Sequence, residues 1–301
     1  MNAPVIAATT AAEVFLTNRR GIRFMVIAMC CFIANDALVK LASESLPAGQ
    51  LIFVRGAMAT AWVLAVARAT STPLPVARLA HRWVAIRAGI DSVATVLLVI
   101  VLAHLPIANA TAINMASPLF IVALAVPLLG ERVDARRWAA IGLGFAGVLM
   151  VIQPRIDDFN GYALLCLFVT LLHALRDLAT RRIPPGIPSL AITMSSAATV
   201  TVLAGLMSAV QGWQPLEARS LALVGAASLF LAGGYHFIVR STREGDFSVI
   251  APFRYTGLVL ALLIGWLVWG DLPDALGWAG LALLMATGVY LIRAERRRAT
   301  G

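Results

Sequence analysis

Ten long apolar runs, separated by short polar segments, constrain this chain more than any other feature of its sequence. A helix that crosses a lipid bilayer needs roughly 20 mostly apolar residues. The composition agrees, because 60% of the 301 residues are hydrophobic and only 13% are charged, whereas soluble domains are about a quarter charged. We therefore predict an all-α integral membrane protein with ten transmembrane helices and no separate soluble domain.

Charges and turn residues between the apolar runs set the boundaries of the predicted spans. In chain order, the ten spans cover 21–43, 49–68, 81–103, 106–129, 136–153, 159–181, 187–210, 218–240, 246–269 and 275–293. Residues 1–20 end in Arg19-Arg20, and charge after an apolar stretch is the reverse of a secretory signal. We expect residues 1–20 to form a cytoplasmic tail and residues 294–301 to form a second, basic one.

Lysine and arginine residues collect on one side of this predicted topology. Seventeen of the 24 fall on the side that holds both termini, and four lie inside spans, at positions 55, 87, 176 and 254. The opposite side holds Lys40, Arg155 and Arg219. Because basic residues favour the cytoplasmic side of membrane proteins, we expect both termini in the cytoplasm and the protein in the inner membrane. The same bias explains the net charge of +9 without a nucleic-acid partner.

The two halves of the chain resemble each other. Residues 36–47 align without gaps with 173–184, and residues 130–152 align with 270–292. This predicts two five-helix repeats, 21–153 and 154–293, which an odd number of helices places in opposite orientations. The loops agree, since the basic start of 130–152 has an acidic counterpart at the start of 270–292. Inverted repeats are typical of transporters, with the substrate near mid-membrane between the repeats.

Two motifs carry a resemblance to a known family. They are FVRG at 53–56 and PLLGERV at 127–133, followed by a tryptophan, and the second repeat departs from the latter with Gly270-Asp271. Together with the ten spans in two halves, they resemble the drug/metabolite transporter superfamily, EamA branch. By general likeness the chain is most similar to bacterial amino-acid exporters of the aromatic-exporter type. The resemblance implies a fold similar to nucleotide-sugar carriers and export of amino acids or related metabolites.

Polar side chains inside the spans are the candidate functional groups, because a charge at mid-membrane needs a partner or a water-filled cavity. The fourth and ninth spans are favoured, since each holds a proline that loosens the backbone beside polar groups. Arg254 could bind the carboxylate of an amino acid, and Asn114 or Asp36 its ammonium group. Helix–helix hydrogen bonding is the alternative. The predicted substrate-binding residues are Asn114, Arg254, Tyr255, Asp36, His173, Asn35, Thr111 and Tyr235.

A second group of residues is predicted to form ion pairs or to couple transport to a gradient. Its members are Asp91, Arg87, Lys40 and His236. Asp36 and Lys40 are four residues apart and can pair, as can Arg87 and Asp91. Alternatively, Lys40 extends to the outer surface and Asp91 titrates as the pathway opens. Arg55 is expected near the surface, where it could contact a carboxylate or have a structural role beside Glu44.

Three functions compete: a secondary exporter, an intramembrane enzyme acting on a lipid or lipid-phosphate, and a channel. An enzyme needs clustered carboxylates or a buried catalytic set, and the only adjacent acidic pair is Asp157-Asp158. Gly142-x-Gly144-x-x-Gly147 matches a dinucleotide fingerprint, but it lies in an apolar span and indicates close helix packing. We therefore expect an exporter without cofactor or metal, whose partners are the lipid bilayer and a small-molecule solute, with no obligate protein partner.

Overall fold

The computed structural model is built from helices. It describes residues 11–70, 81–129, 135–153, 161–184, 186–244 and 251–299, and no strand occurs in these ranges. The α-helices are α1 (Ala11–Ala42), α2 (Ala48–Ala69), α3 (Arg82–His104), α4 (Ile107–Asn114), α5 (Ser117–Leu129), α6 (Ala135–Ile152), α7 (Gly161–Arg181), α8 (Ser189–Gln211), α9 (Ala218–Glu244), α10 (Thr256–Trp269) and α11 (Ala275–Ala299). A 3₁₀ helix, Ala251–Tyr255, precedes α10.

Six of the described helices are long and apolar enough to cross a membrane. Their spans are Leu16–Ala42, Ala48–Ala69, Arg82–His104, Gly161–Thr180, Leu190–Gln211 and Ala218–Ile238. Four shorter apolar helical stretches correspond to the remaining predicted spans, and they are Ile107–Ile121, Trp138–Ile152, Phe253–Trp269 and Ala275–Tyr290. The predicted all-helical membrane architecture is thus confirmed, with six clear spans.

The fourth predicted span is two helices rather than one. Helix α4 ends at Asn114, and α5 begins at Ser117. The break lies one turn before Pro118, whose ring has no N–H to donate and crowds the carbonyl four residues earlier. The ninth predicted span is divided in the same way, because the 3₁₀ segment that contains Pro252 precedes α10. Both breaks are at corresponding positions of the two halves.

Several helices extend beyond their predicted ends. Helix α1 begins at Ala11 instead of residue 21, so part of the predicted tail is helical. Residues 11–20 contain mostly good helix formers and no glycine or proline, so nothing ends the helix there. Helices α9 and α11 likewise continue through their charged ends to Glu244 and Ala299. The predicted Gly130-Glu131 turn and the Asp157-Asp158 pair lie outside the described residues.

The packing of the helices has an internal symmetry. Helix α1 packs against α9, and its counterpart in the second half, α7, packs against α3. The α3–α8 contact corresponds to α9–α2, and α5–α7 corresponds to α10–α1. Helices α2 and α8 pack on each other, as do α6 and α11, and α4 and α10. A two-fold axis that relates the two halves would produce these matched pairs of helix contacts.

The glycine motif of α6 serves close helix packing, as predicted. A Cβ on Gly147 would lie 2.9 Å from the carbonyl oxygen of Gly280 in α11, and one on Gly144 would lie 2.6 Å from the Leu119 side chain. Gly147 therefore lets α6 approach the backbone of α11, and Gly144 makes room for the Leu119 side chain of α5. Gly142 differs, because a Cβ there would meet no atom within 4 Å.

Candidate functional site

A cavity of about 1090 Å³ lies between the two halves. Residues of α1 to α5 and of α7 to α9 line it, together with Arg254 and Tyr255 of the 3₁₀ helix. All eight predicted substrate-binding residues line this cavity, and so do Arg87, Asp91 and His236. Of the residues predicted to bind substrate or form ion pairs, Lys40 alone lies elsewhere. Residues that are more than 200 positions apart in the sequence thus line the same cavity.

Hydrogen bonds between the halves close one end of the cavity. Gln50 is fully buried, donates from Nε2 to the carbonyl of Gln214 at 2.7 Å and accepts from its backbone N–H at 2.8 Å. The hydroxyl oxygens of Ser45 and Ser220 are 3.0 Å apart. Apolar side chains of the main buried core, among them Leu46 and Leu105, surround the same end. These contacts join the start of α2 to the end of α8 and the start of α9.

The cavity reaches the surface at the opposite end. Trp62 and Val66 line it near the C-terminal end of α2, and their side chains are 45% and 41% exposed. Arg240, near the end of α9, and Pro188, which precedes α8, line the same region. The cavity is therefore open at this end.

Lys40 belongs to the closed end and does not pair with Asp36. Its ammonium group donates to the carbonyl oxygens of Leu102, at 2.9 Å, and Leu105, at 2.5 Å. These carbonyls end α3, where the backbone has no helical donors left and carries partial negative charge. The ammonium also lies 5.4 Å from the centre of the Trp269 ring. The predicted Asp36–Lys40 pair is wrong because these carbonyls are the nearer partners.

Asn35, Asp36 and Arg55 form a group on α1 and α2 inside the cavity. The amide of Asn35 donates to Asp36 Oδ1 at 2.9 Å, and its oxygen accepts a long bond of 3.4 Å from Arg55. Arg55 is 7% exposed. The expectation that Arg55 lies near the surface beside Glu44 is therefore wrong. Gly56 packs against Thr201 of α8, and α2 presents the neighbouring Arg55 to the interior.

A second charged group lies on α3 and α7. Arg176 donates to Asp91 at 2.9 Å and to Asp177 at 3.0 Å. The predicted Arg87–Asp91 pair is present only as a long contact of 4.0 Å, while Arg87 donates to the hydroxyls of Thr180 and Ser196. The prediction missed Arg176 as the main partner of Asp91, because the contact joins helices 85 residues apart in sequence.

His173 and Asn114 meet at the break between α4 and α5. His173 Nδ1 lies 2.8 Å from Asn114 Oδ1, so an Nδ1–H group donates to the amide oxygen. The Thr170 hydroxyl, one turn earlier in α7, donates to the carbonyl of Cys166 at 2.9 Å and lies 3.3 Å from the carbonyl of Ile113. The broken end of α4 is therefore bound by side chains of α7. Thr111 is buried beside this contact, at 6% exposure.

The remaining predicted residues occupy the walls of the cavity. Tyr235 packs edge-on against Phe32 with ring centres 5.5 Å apart. Tyr255 is buried, its hydroxyl has no hydrogen-bond partner among the described residues, and its ring lies against Gly288 of α11. Arg254 is half-buried, and His236 is exposed with its ring beside Phe237. Tyr255 thus serves helix packing as well as lining the cavity.

No group of three or more histidine, cysteine or acidic side chains that could hold a metal ion occurs in the described part of the chain. Cys30, Cys31 and Cys166 are free thiols. Cys166 donates to the carbonyl of Ala110 at 3.6 Å and so contributes to the packing of α7 on α4. The cavity therefore offers charged and amide groups, which bind polar solutes by hydrogen bonds.

The sequence matches a family of known transporters. Two segments, residues 19–153 and 160–294, each match the model of the EamA-like transporter family. One solved crystal structure covers 97% of this chain and 100% of its own, at 18% sequence identity and a TM-score of 0.60. That likeness concerns the fold alone.

Named relatives come from several bacteria. A riboflavin transporter of Rhizobium johnstonii is 33% identical over 65% of this chain and 65% of its own length. The pseudopaline exporter CntI of Pseudomonas aeruginosa is 26% identical over 92% of this chain and 98% of its own. An S-adenosylmethionine uptake transporter of Rickettsia prowazekii is 26% identical over 64% of this chain and 65% of its own. The match thus spans just under two thirds of the riboflavin and S-adenosylmethionine transporters, and their names indicate transport rather than enzymatic activity.

Proposed function

This chain belongs to the EamA-like transporter family, and we propose that it is a secondary transporter that exports an amino acid or a related small metabolite across the cytoplasmic membrane by alternating access. The observation that carries this proposal is the cavity of about 1090 Å³ between the halves, which is closed at one end by hydrogen bonds and reaches the surface at the other. A pathway open to one side at a time is what alternating access requires.

The proposed topology has ten transmembrane helices in two inverted five-helix repeats, 21–153 and 154–293. The match of the family model to both halves and the paired helix contacts support it. In this arrangement the broken spans, α4–α5 and the 3₁₀ helix with α10, cross the membrane as discontinuous helices. Breaks of this kind lie beside the substrate site in transporters.

The proposed direction is outward, and the open end of the cavity faces the cytoplasm. Arg240 lines the cavity at its open end. Arg68 is at the end of α2 and Arg182 follows α7, on the same side, whereas Lys40 and Arg219 are at the end of α1 and the start of α9, on the closed side. Basic residues on the cytoplasmic side then place the cavity mouth inside the cell. A transporter in this state binds a cytoplasmic solute first, which is the step that export needs.

The amino-acid substrate class rests on the charges of the cavity. Acidic and basic side chains both line it, among them Asp36, Arg55 and Arg254, and a zwitterion needs partners of both signs. The relatives are named for riboflavin, pseudopaline and S-adenosylmethionine, so related metabolites belong to the proposal. The rival proposal, an enzyme acting on a lipid-phosphate, has no catalytic or metal-binding cluster among the described residues to support it.

Transport by the purified protein in proteoliposomes tests this proposal. Radiolabelled amino acids, and riboflavin as a related metabolite, are loaded on one side, and their movement is followed with and without a pH gradient. We expect saturable movement of at least one amino acid, which protein-free liposomes do not show. Movement of riboflavin alone would reject the amino-acid class, and movement of no solute in either direction would reject transport of these classes.

A further inference from the structure

Arg55 has hydrogen-bonding capacity that the protein does not use. A guanidinium group offers five N–H donors, and the one hydrogen bond of Arg55 in the described structure is the 3.4 Å contact with Asn35. No carboxylate of the described residues lies within 4.0 Å of it. Asn35, which accepts this bond from Arg55, also donates to Asp36. The guanidinium is therefore held near an acid without being neutralised by it.

Asp36 likewise makes fewer hydrogen bonds than its carboxylate can accept. An ionised carboxylate can accept about four hydrogen bonds, and Asp36 accepts one in the described structure, from the amide of Asn35 at 2.9 Å. Asn35 is 2% exposed and lies between the two charges, bonded to both. It keeps the acid and the base apart while both of them line the cavity.

The charged group on α3 and α7 differs, because its arginines have more hydrogen-bond partners than Arg55 has. Arg176 bonds to Asp91 and Asp177 at 2.9 Å and 3.0 Å, and Arg87 bonds to two hydroxyls. In that group each arginine has a carboxylate or hydroxyl partner at normal hydrogen-bond distance, and Asp91 has a direct ion pair, which Asp36 and Arg55 do not have among the described residues. A buried charge without a full set of partners is unfavourable, so the Arg55–Asp36 group gains most from a bound solute.

We propose that Arg55 and Asp36 together bind the α-amino acid head group of the solute, with Arg55 holding the carboxylate and Asp36 the ammonium group. This inference rests on the proposed transport function and assigns the carboxylate to Arg55, not to Arg254. The pairing fits the chemistry, since a guanidinium binds a carboxylate through two parallel N–H bonds. A zwitterion neutralises both protein charges at once and breaks no existing salt bridge.

The position of the head group also indicates which side chain the solute carries. Phe32 lies one helical turn before Asp36 on α1 and forms the edge-on pair with Tyr235. Both rings line the cavity. An apolar or aromatic side chain next to the bound ammonium group would contact these rings. We therefore expect large apolar amino acids to bind more tightly than small polar ones.

Competition binding separates the two ends of the head group. The probe is radiolabelled L-phenylalanine on purified protein in detergent, displaced by phenethylamine, which lacks the carboxylate, and by 3-phenylpropanoate, which lacks the ammonium group. We expect the wild type to bind both analogues about 10- to 150-fold more weakly than phenylalanine, the effect of losing one hydrogen bond to a charged group. In Arg55→Gln, phenylalanine and phenethylamine should bind equally, and in Asp36→Asn, phenylalanine and 3-phenylpropanoate should bind equally.

The exposed residues Glu217 and Arg219 give the matched controls, because neither lines the cavity. Glu217→Gln and Arg219→Gln should keep wild-type preferences, and Arg55→Lys should recover part of the carboxylate preference if Arg55→Gln is poorly folded. Unchanged analogue preference in the Arg55 and Asp36 variants would overturn the head-group site while leaving transport intact. A wild type that moves amino acids in liposomes but binds all three probes alike would do the same, whereas absence of both binding and transport would reject the proposed function itself.

Discussion

His173 Nδ1 lies 2.8 Å from the amide oxygen of Asn114. This contact ties α7 of the second half to the broken end of α4 in the first half, directly beside the cavity. A helix that ends inside a membrane protein leaves carbonyl groups without helical partners. The hydroxyl of Thr170 in α7 lies 3.3 Å from one of these carbonyls, that of Ile113, and His173 binds the side chain of the last residue of α4. Both contacts link the geometry of the break to the position of α7.

The His173–Asn114 contact predicts an energetic coupling. We expect His173→Ala and Asn114→Ala each to lower thermal stability in detergent, and the double variant to lose less than the sum of the two. The coupling should be about 0.6–1.7 kcal/mol, the range for hydrogen bonds between membrane helices. His173→Gln, which keeps an N–H donor, is the control and should retain part of the coupling. Additive losses would show that the two side chains do not interact.

The sequence was sufficient to predict the family and the helical membrane architecture, and the residues it proposed for substrate binding line the cavity. Polar residues such as Asn114 and Asp36 stand out in apolar spans because their burial needs a reason, and this signal is independent of tertiary structure. The helix breaks at Pro118 and Pro252 follow from the same local chemistry. The family is confirmed by the match of both halves.

Hydrogen-bond partners were harder to predict than locations. Lys40 bonds to carbonyls 62 and 65 residues away, and Asp91 bonds to Arg176 85 residues away. Local i, i+4 spacing favoured the wrong partner for Lys40, and for Asp91 it favoured Arg87, which lies at 4.0 Å while Arg176 lies at 2.9 Å. The burial of Arg55 was predicted wrongly because its distance from the start of α2 at Ala48 is a poor guide to burial. The side of the helix on which a residue lies decides whether its side chain is buried. The sequence did contain a signal for this burial: Arg55 is the one charged residue of α2 before its last turn, and it is next to a glycine.

The ion pairs of Arg176 predict an order of stability losses. Arg176→Gln should cost most, because it removes the main partner of Asp91 and of Asp177 together; breaking a buried pair costs about 3–5 kcal/mol. Asp91→Asn should cost less, since Arg176 keeps Asp177. Asp177→Asn should cost at most about 1 kcal/mol, because its side chain is 35% exposed and water screens the pair. Thermal unfolding of the three proteins in one detergent measures the order, and a larger loss in Asp177→Asn than in Arg176→Gln would contradict it.

The closed end of the cavity predicts that a covalent link will stop transport. The hydroxyl oxygens of Ser45 and Ser220 are 3.0 Å apart, so the sulfur atoms of cysteines at these two positions would lie close to each other. In a background with Cys30, Cys31 and Cys166 replaced by alanine, Ser45→Cys/Ser220→Cys should lose transport on oxidation and regain it on reduction. Each single cysteine variant serves as a control. Full transport by the oxidised double variant would mean that this end does not open during the cycle.

The proposed topology predicts which loops react in intact cells. Leu272, 59% exposed between α10 and α11, should be outside, and the exposed Pro184, between α7 and α8, should be inside. A membrane-impermeant maleimide should therefore label Leu272→Cys in intact cells and Pro184→Cys only after permeabilisation. The reverse pattern would invert the topology and would place the mouth of the cavity outside the cell. Labelling of both positions in intact cells would contradict the inverted repeats.

The packing of α6 on α11 predicts opposite effects for two glycines of similar sequence context. A Cβ on Gly280 would lie 2.7 Å from the carbonyl oxygen of Gly147, and backbone cannot move aside as a flexible side chain can. Gly280→Ala should therefore destabilise the protein by about 1–3 kcal/mol through overpacking. Gly142→Ala is the matched control, because its Cβ would meet nothing within 4 Å and alanine is favoured over glycine in a helix by about 1 kcal/mol. Thermal unfolding in detergent should show a lower midpoint for Gly280→Ala and an unchanged or higher one for Gly142→Ala, and equal midpoints would mean that the two helices do not rely on this close approach.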